Sequence, residues 1–254
     1  MNLDLPSAHP ALKAATQVAR VRTEAWAGRY LYCPNCPADA LERLPANRPV
    51  ADLECPSCEA EYELKAGRRP FGARLVNGAY DMLVARLAAD AAPHLLLMQY
   101  DPAPGRVVSL QAVPRRFLSP QIAERRRPLA PTARRAGWVG STLRLDLVPR
   151  SGRIELVRDG QVMDPDQVRS AWRRTAFLEE VGVEPRGWLA DVLACVEEIA
   201  DDTFTLADVY AYEDRLQTLH PENRNVRPKI RQQLQRLRDH GLVAFEGGGR
   251  YRRL

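Results

Sequence analysis

Lysine is scarce in this sequence, which also contains neither a long apolar run nor a recognisable secretory leader. Of the 37 basic residues only Lys13, Lys65 and Lys229 are lysines, so arginine supplies the general positive charge. No segment reaches the roughly 20 apolar residues that a membrane helix needs. The N-terminus lacks the basic start and apolar core of a secretory signal. We therefore expect a cytoplasmic protein with no membrane partner, in which a lysine marks a place that needs a compact ammonium group.

Positive charge is concentrated in two regions of a chain with a net charge of +5. Residues 115–135 hold seven arginines against Glu124, and residues 222–254 hold nine basic residues against three acidic ones, so each region has a net charge of +6. The rest of the chain is acidic. This distribution favours a polyanionic partner such as DNA. A solvated arginine-rich surface is the alternative reading of charge alone.

Four of the five cysteines form two CxxC pairs. Cys33 and Cys36 are separated by 18 residues from Cys55 and Cys58. This spacing is typical of a four-thiolate zinc site, whereas two disulfides would be unusual in a cytosolic chain. We predict a structural zinc ion that is closed to chemistry. Cys195 lies on an apolar helix face and is predicted to be a buried small side chain.

Charged and apolar side chains alternate in residues 60–66, as in a strand with one polar face. Glu63 and Lys65 flank Leu64 and therefore point to one side, and Asp52 precedes Glu63 by ten intervening residues. Two converging carboxylates suit magnesium, which prefers oxygen ligands. A neighbouring lysine can orient a water molecule or stabilise a phosphate. The pattern is the D-x(n)-E-x-K motif of the PD-(D/E)xK nucleases, although a solvated strand face explains the motif taken alone equally well.

The cysteine pairs bracket this motif. Asp52 lies three residues before Cys55, and Glu63 lies five residues after Cys58. A zinc ion would therefore fix both ends of the loop that joins the two carboxylates.

Further elements follow from periodicity and turn residues. Residues 11–30 are helix-like, and a second helix fits the helical spacing of Leu75, Ala79, Met82, Leu83 and Leu87. Residues 95–100 and 106–113 are predicted strands, and residues 154–157 with the turn Asp159-Gly160 indicate a later hairpin. The order of strand, helix and strand after Lys65 fits a nuclease core.

The C-terminal part of the sequence predicts three helices and a hairpin. An apolar stripe over residues 188–199 is followed by Thr205 and Asp208, which can cap a second helix. A third helix begins near Arg227, with Val226, Ile230, Leu234 and Leu237 as its core face, and Gly241 ends it. A basic hairpin over residues 242–254 completes a winged helix, a relative of the helix-turn-helix.

The whole chain resembles the DpnI-like methylation-dependent restriction endonucleases. The resemblance is carried by residues 48–52 (RPVAD), the CxxC pairs, Glu63-Leu64-Lys65, and by four further blocks: 128–138 (PLAPTARRAGW), 152–154 (GRI), 159–162 (DGQV) and 229–235 (KIRQQLQ). It implies an α/β fold: a PD-(D/E)xK nuclease core with a zinc site over residues 1–180, and a winged-helix domain over residues 181–254. It also implies a monomeric, magnesium-dependent enzyme that cuts double-stranded DNA at GATC sites carrying N6-methyladenine.

The resemblance assigns roles to individual residues. Asp52, Glu63 and Lys65 match the catalytic positions, with the Leu64 carbonyl as a further magnesium ligand, and Trp138 matches the aromatic residue that senses the methyl group. Ala51 departs from the general nuclease pattern, in which a proline often precedes the Asp; Pro49 lies two positions earlier. The residues that we expect to contact bases or phosphates in addition to Trp138 are Arg134, Arg135, Arg227, Lys229, Arg231, Gln232, Arg250, Arg252 and Arg253.

A second interpretation is a non-catalytic DNA-binding regulator with a zinc ribbon and a winged helix. The basic regions and the cysteines fit it equally well. Glu63 and Lys65 on one strand face separate the two hypotheses, because a protein that only binds DNA does not need them.

Overall fold

The protein is a mixed α/β chain, and its computed structural model describes residues 1–45 and 51–254. The helices are α1 (Ala15–Tyr30), α2 (Tyr80–Ala88), α3 (Pro165–Arg174), α4 (Val183–Glu198), α5 (Leu206–Tyr210), α6 (Glu213–Leu219) and α7 (Val226–Asp239). The strands are β1 (Glu42–Arg43), β2 (Leu53–Glu54), β3 (Glu61–Gly67), β4 (Arg74–Ala79), β5 (His94–Asp101), β6 (Arg106–Val113), β7 (Ala123–Arg125), β8 (Gly140–Arg144), β9 (Ile154–Arg158), β10 (Gln161–Val162), β11 (Thr203–Thr205), β12 (Val243–Gly247) and β13 (Arg250–Arg253). Residues 48–50 of the RPVAD motif, Pro49 among them, lie outside the described residues. Within the described ranges, every helix is too short or too polar to cross a bilayer.

Two compact units, each assembled from several segments, make up the chain. The first comprises Met1–Gly72, Ala91–Arg115 and Ser151–Ala176. The second comprises Ala73–Asp90, Arg116–Arg150 and Phe177–Leu254.

A seven-stranded mixed sheet forms the first unit, in the order β1-β2-β3-β5-β6-β9-β10. Strands β3 and β5 pair in parallel, and the other neighbouring pairs are antiparallel. The predicted strands at residues 60–66, 95–100 and 106–113 are confirmed as β3, β5 and β6. The predicted hairpin is confirmed as β9 and β10, and its turn residues Asp159 and Gly160 have φ values of 48° and 72°, as a two-residue type I′ turn requires.

Helix α1 lies beside β1 and β3 in the first unit. It begins at Ala15 and not at residue 11 as predicted, because Ala14 has an extended backbone with φ −73° and ψ 120°. Its buried face contains Trp26, whose Nε1 donates a hydrogen bond to the Asn2 carbonyl at 2.8 Å. This packing places the polar side chains of α1 next to the strand that carries Glu63 and Lys65.

The helix predicted over residues 75–87 is wrong in its first part. Residues Arg74–Ala79 form β4, and helix α2 begins only at Tyr80. Strand β4 pairs with β8. The helical spacing of apolar residues is a local pattern and contains no information about this distant partner. Gly78 also disfavours a helix there, since glycine costs about 1 kcal/mol relative to alanine in a helix interior. Helix α2 contacts β4 and β7, so the helix predicted for the nuclease core packs within the second unit.

The second unit contains two three-stranded sheets, β4-β8-β7 and β11-β13-β12. The latter sheet and the helices α4 to α7 form the predicted winged helix, with two differences. The second predicted helix is divided into α5 and α6, and β11 adds a third strand beside β13. Thr205 and Asp208 form the predicted capping box at the start of α5.

Helix α7 follows its sequence pattern closely. The predicted core residues Val226, Ile230, Leu234 and Leu237 are all buried. Gly241 follows the helix with φ +69°, a conformation that favours glycine. Cys195 is fully buried within α4, as predicted.

Two buried arginines connect distant segments within the second unit. The Arg186 side chain is 1% exposed and donates to both carboxylate oxygens of Asp90, at 3.0 and 2.5 Å. Arg116 is likewise buried and donates to Glu179 at 2.6 Å. A guanidinium that is removed from water needs a carboxylate partner, so these pairs fix α4 and the residues before it against other segments of the unit.

Replacing Asp90 by asparagine tests the first of these pairs. Asp90→Asn should lower the free energy of unfolding by about 2 kcal/mol, because it leaves the buried Arg186 without a charged partner. Asparagine tolerates the left-handed backbone at this position (φ 53°), so the loss reports on the charge. Urea unfolding measures it. The control is Asp239→Asn, which removes an exposed partner of Arg238 and should cost less than about 1 kcal/mol. Equal losses in both variants would contradict this account.

Candidate active site and metal centre

The four predicted zinc ligands lie together in the first unit. Their sulfur atoms all lie within 4.8 Å of one another. The Cys33 and Cys58 sulfurs are 3.7 Å apart, and those of Cys36 and Cys55 are 3.5 Å apart. All four are free thiols without a disulfide. Sulfurs at the corners of a tetrahedron around zinc lie about 3.8 Å apart, given a zinc–sulfur distance of about 2.3 Å. The cluster therefore fits a zinc ion.

Groups around the cluster hold the cysteine loops in place. Arg169 donates from Nε to the Cys36 carbonyl at 2.9 Å, and Asn35 donates to the Cys58 sulfur at 3.4 Å. Burial raises the pKa of Cys33. The pKa of Cys55 is lowered: burial opposes the shift, but the backbone N–H groups of Cys58 and Ser57 outweigh it. Four crowded thiols, of which Cys33 and Cys55 are buried, favour a cation that can hold them as thiolates.

The second cysteine pair forms the turn of the hairpin that carries the candidate catalytic residues. Strand β2 (Leu53–Glu54) lies between Asp52 and Cys55 and pairs with β3, with Leu53 opposite Tyr62. The Cys55 N–H donates to the Ala60 carbonyl at 2.9 Å, and the Asp52 N–H donates to the Tyr62 carbonyl at 2.9 Å. The cysteine turn thus sets the register that brings Asp52 alongside β3.

Asp52, Glu63, Leu64 and Lys65 line one cleft with a volume of about 610 Å³. One Asp52 carboxylate oxygen accepts a hydrogen bond from the Leu64 N–H at 2.8 Å. The Lys65 ammonium lies 2.5 Å from the Glu63 carboxylate, so the two side chains share the face that their alternation predicts. Burial raises the pKa of Asp52, and the Leu64 hydrogen bond opposes that shift. The cleft combines the oxygen ligands that magnesium prefers with a lysine, and this donor set fits the ion.

One wall of this cleft was not predicted from the sequence. Helix α1 contributes Arg20 and Glu24, whose side chains are 2.5 Å apart. The Arg20 Nη2 lies 3.9 Å from the Asp52 carboxylate. An Arg and a Glu four residues apart are common on helices, so local sequence contained no signal that these two face Asp52.

The predicted methyl-sensing residue belongs to the second unit. Trp138 follows a turn that carries the exposed Arg134 and Arg135 and precedes β8. The Arg135 guanidinium lies 4.5 Å from the centre of the indole ring. The ring also packs on Gly140, where an added Cβ would come within 2.9 Å of it. A larger residue at 140 would displace the indole.

The predicted DNA-contacting residues of the winged helix lie on α7 and β13. Arg227, Lys229, Arg231 and Gln232 occupy the first two turns of α7, and all but Lys229 are exposed. Two of them are held by neighbouring helices: Arg227 donates to Glu213 at 2.7 Å, and Arg231 donates to the Tyr210 hydroxyl at 2.9 Å.

Of the three predicted wing residues on β13, Arg250 and Arg252 are exposed, whereas the Arg253 side chain is 19% exposed and donates to the Ile199 carbonyl at 2.7 Å and to Asp202 at 2.9 Å. Arg250 begins the strand, and Arg252 pairs with Glu246 at 2.8 Å. Their placement next to the basic face of α7 in sequence and fold is consistent with a surface for a polyanion.

Two family models together match almost the whole chain. A model described as the Dam-replacing family, DpnI, matches residues 1–181. A second model, described as the Dam-replacing HTH domain, matches residues 184–253 and so covers the winged helix. The first match alone spans more than half of the chain, and the protein therefore belongs to the DpnI family of Dam-replacing proteins.

Proposed function

We propose that the protein is a magnesium-dependent type II restriction endonuclease that cuts double-stranded DNA at GATC sites carrying N6-methyladenine. Family membership supports a methylation-dependent restriction endonuclease. The observation that carries the catalytic part is the convergence of Asp52, Glu63 and Lys65 in one cleft on the β2–β3 hairpin. The GATC specificity rests on the resemblance in residues 128–138 and 229–235.

The residues of the cleft divide the chemical work. Asp52, oriented by the Leu64 N–H, and Glu63 would hold magnesium together with the Leu64 carbonyl. When bound, the ion polarises the phosphate and lowers the pKa of a coordinated water. Lys65 would donate hydrogen bonds to the attacking water or to a phosphate oxygen. The water oxygen loses a proton to solvent and forms a bond to phosphorus, one bridging P–O bond breaks, and the leaving oxygen takes up a proton from solvent.

We propose the two functional domains that the sequence predicts. Residues 1–180 carry the endonuclease activity, and residues 181–254 form the winged-helix DNA-binding domain. The protein acts as a monomer in the cytoplasm, and its substrate is double-stranded DNA that carries N6-methyladenine. Helix α7 enters the major groove, and Arg250 and Arg252 contact phosphates.

We propose that Trp138 senses the methyl group of the modified adenine. Burying one methyl against an indole contributes about 0.8 kcal/mol. We propose that Arg134 and Arg135, which are exposed in the preceding turn, contact guanine edges or phosphates. The packing of the indole between Arg135 and Gly140 holds the ring in one orientation, which a shape-selective contact requires.

The cysteine cluster is expected to hold about one zinc ion per chain. Elemental analysis of purified protein measures the metal content. Cys55→Ala should reduce it far below the wild-type content, because three thiolates leave the coordination incomplete. Cys195→Ala, which alters a buried cysteine in α4, is the matched control and should retain the zinc. Unchanged zinc in Cys55→Ala would place the metal elsewhere.

Digestion of GATC-containing plasmid, with and without adenine methylation, tests the proposed reaction. In magnesium the methylated plasmid should be cut and the unmethylated plasmid should remain intact. Lys65→Ala should abolish cutting while retaining binding to methylated duplex, measured by fluorescence anisotropy in Ca²⁺. Equal cutting of both plasmids would rule out methylation dependence. Tight methyl-dependent binding without nicking by the wild type in any divalent metal would support the DNA-binding regulator instead.

Replacing Trp138 should weaken the preference for methylated DNA. Trp138→Ala is expected to lower the ratio of kcat/KM on methylated and unmethylated duplex by about fourfold for each methyl sensed, which corresponds to about 0.8 kcal/mol. Trp138→Phe should retain part of the preference. Gly140→Ala, which displaces the indole without removing it, should also lower the ratio. A ratio that is the same in Trp138→Ala and wild type would exclude Trp138 as the sensor.

A further inference from the structure

Helix α1 presents one polar face to the catalytic cleft. Thr16, Ala19, Arg20, Thr23 and Glu24 all line it, with the spacing of residues on one side of a helix. The face includes a cation and a carboxylate that lie outside the D-x(n)-E-x-K motif.

Arg20 is anchored at the mouth of the cleft by Glu24. The Arg20 Nε donates to the Glu24 carboxylate at 2.5 Å, and Arg43 contacts the other Glu24 oxygen at 3.3 Å. The Arg20 side chain is 59% exposed, whereas Glu24 and Asp52 are 14% and 22% exposed. The guanidinium therefore lies on the solvent side of the two carboxylates, where a DNA backbone would arrive.

The Arg20 guanidinium lies close to the proposed reaction centre. Its Nη2 lies 3.9 Å from the Asp52 carboxylate, which is beyond hydrogen-bond range. A guanidinium carries five N–H donors in a planar fork that matches phosphate geometry. With Nε held by Glu24, Nη2 lies beside Asp52, one of the proposed magnesium ligands, and therefore near the place where a phosphate bound to the ion would lie.

We propose that Arg20 is a further catalytic residue that donates to the scissile phosphate, and that Glu24 is the residue that positions it. This inference rests on the proposed function of the cleft. Arg20 stabilises the charge that develops on the phosphate oxygens in the transition state. Glu24 removes the rotational freedom of a long, exposed side chain before the DNA binds. Because the Arg20 side chain is 59% exposed, its ion pair contributes little to folding stability, so the main consequence of the pair is expected in the reaction rate.

Single-turnover cleavage of methylated GATC duplex in magnesium, with binding measured in Ca²⁺, tests the proposal. Arg20→Ala should lower the cleavage rate about 10²-fold, as for the loss of one transition-state donor, with a much smaller change in Kd. Arg20→Lys should recover part of the rate, because it restores the charge without the fork. Glu24→Ala should also slow cleavage, and the double variant should be no slower than Arg20→Ala, since the two residues act as one unit.

Arg29→Ala provides the matched control. It removes the same charge from an exposed position of α1 that does not line the cleft, and it should cleave and bind as the wild type does. Wild-type rates in Arg20→Ala, or a rate loss that Arg29→Ala shares, would overturn the role of Arg20 while leaving the endonuclease intact. A loss confined to Kd would overturn it as well. If Arg20→Ala fails to fold, the test uses Arg20→Lys instead. A folded Arg20→Lys variant that cleaves at the wild-type rate would show that the planar guanidinium is not needed, and one as inactive as Lys65→Ala would show that a positive charge here restores none of the rate. Either result would overturn the role of Arg20. A wild-type protein that binds without cutting would remove the proposed function itself, and this inference with it.

Discussion

Four cysteine sulfurs, all within 4.8 Å of one another, close the turn of the hairpin that carries Asp52 and Glu63. Side chains alternate between the two faces of a strand, so a slip of one residue in this turn would move Glu63 and Lys65 to the opposite face of the sheet. A zinc ion on the cysteines, as we propose, would remove that freedom at both ends of the loop. The geometry of the cleft therefore depends on a site that takes no part in the chemistry.

The charges of the cleft are balanced across two elements. Burial raises the pKa of Asp52, and the hydrogen bond from the Leu64 N–H opposes that shift. The Lys65 ammonium balances the charge of the Glu63 carboxylate on the same strand, and Arg20 forms an ion pair with Glu24 on α1. A concentration of carboxylates at one point is costly without cations. These are the carboxylates that we propose hold magnesium, and Arg20, which is 59% exposed, lies on their solvent side.

In the second unit, charged side chains are buried inside a small α/β assembly. Arg186 and Arg116 are almost fully buried, and each has a carboxylate contributed by a distant segment. His220 and Asp191 form a third buried pair, with 2.7 Å between their polar atoms. Such pairs specify which segments pack together more than they add net stability. Arg186 joins helix α4 to residues 73–90, Arg116 joins residues 116–150 to residues 177–180, and the His220–Asp191 pair lies within the winged helix.

The sequence alone determined the features that depend on residues close in the chain. The cysteine spacing, the alternation around Leu64, the capping box at Thr205 and the apolar face of α7 are all local patterns, and each appears as predicted. Only the tertiary structure decided that residues Arg74–Ala79 form a strand, because their backbone partners lie on β8, more than sixty residues later. It also decided that Arg20 and Glu24 face Asp52, since that contact depends on how α1 packs beside β3. Local periodicity records which face of an element is apolar, but it does not record which distant element covers that face.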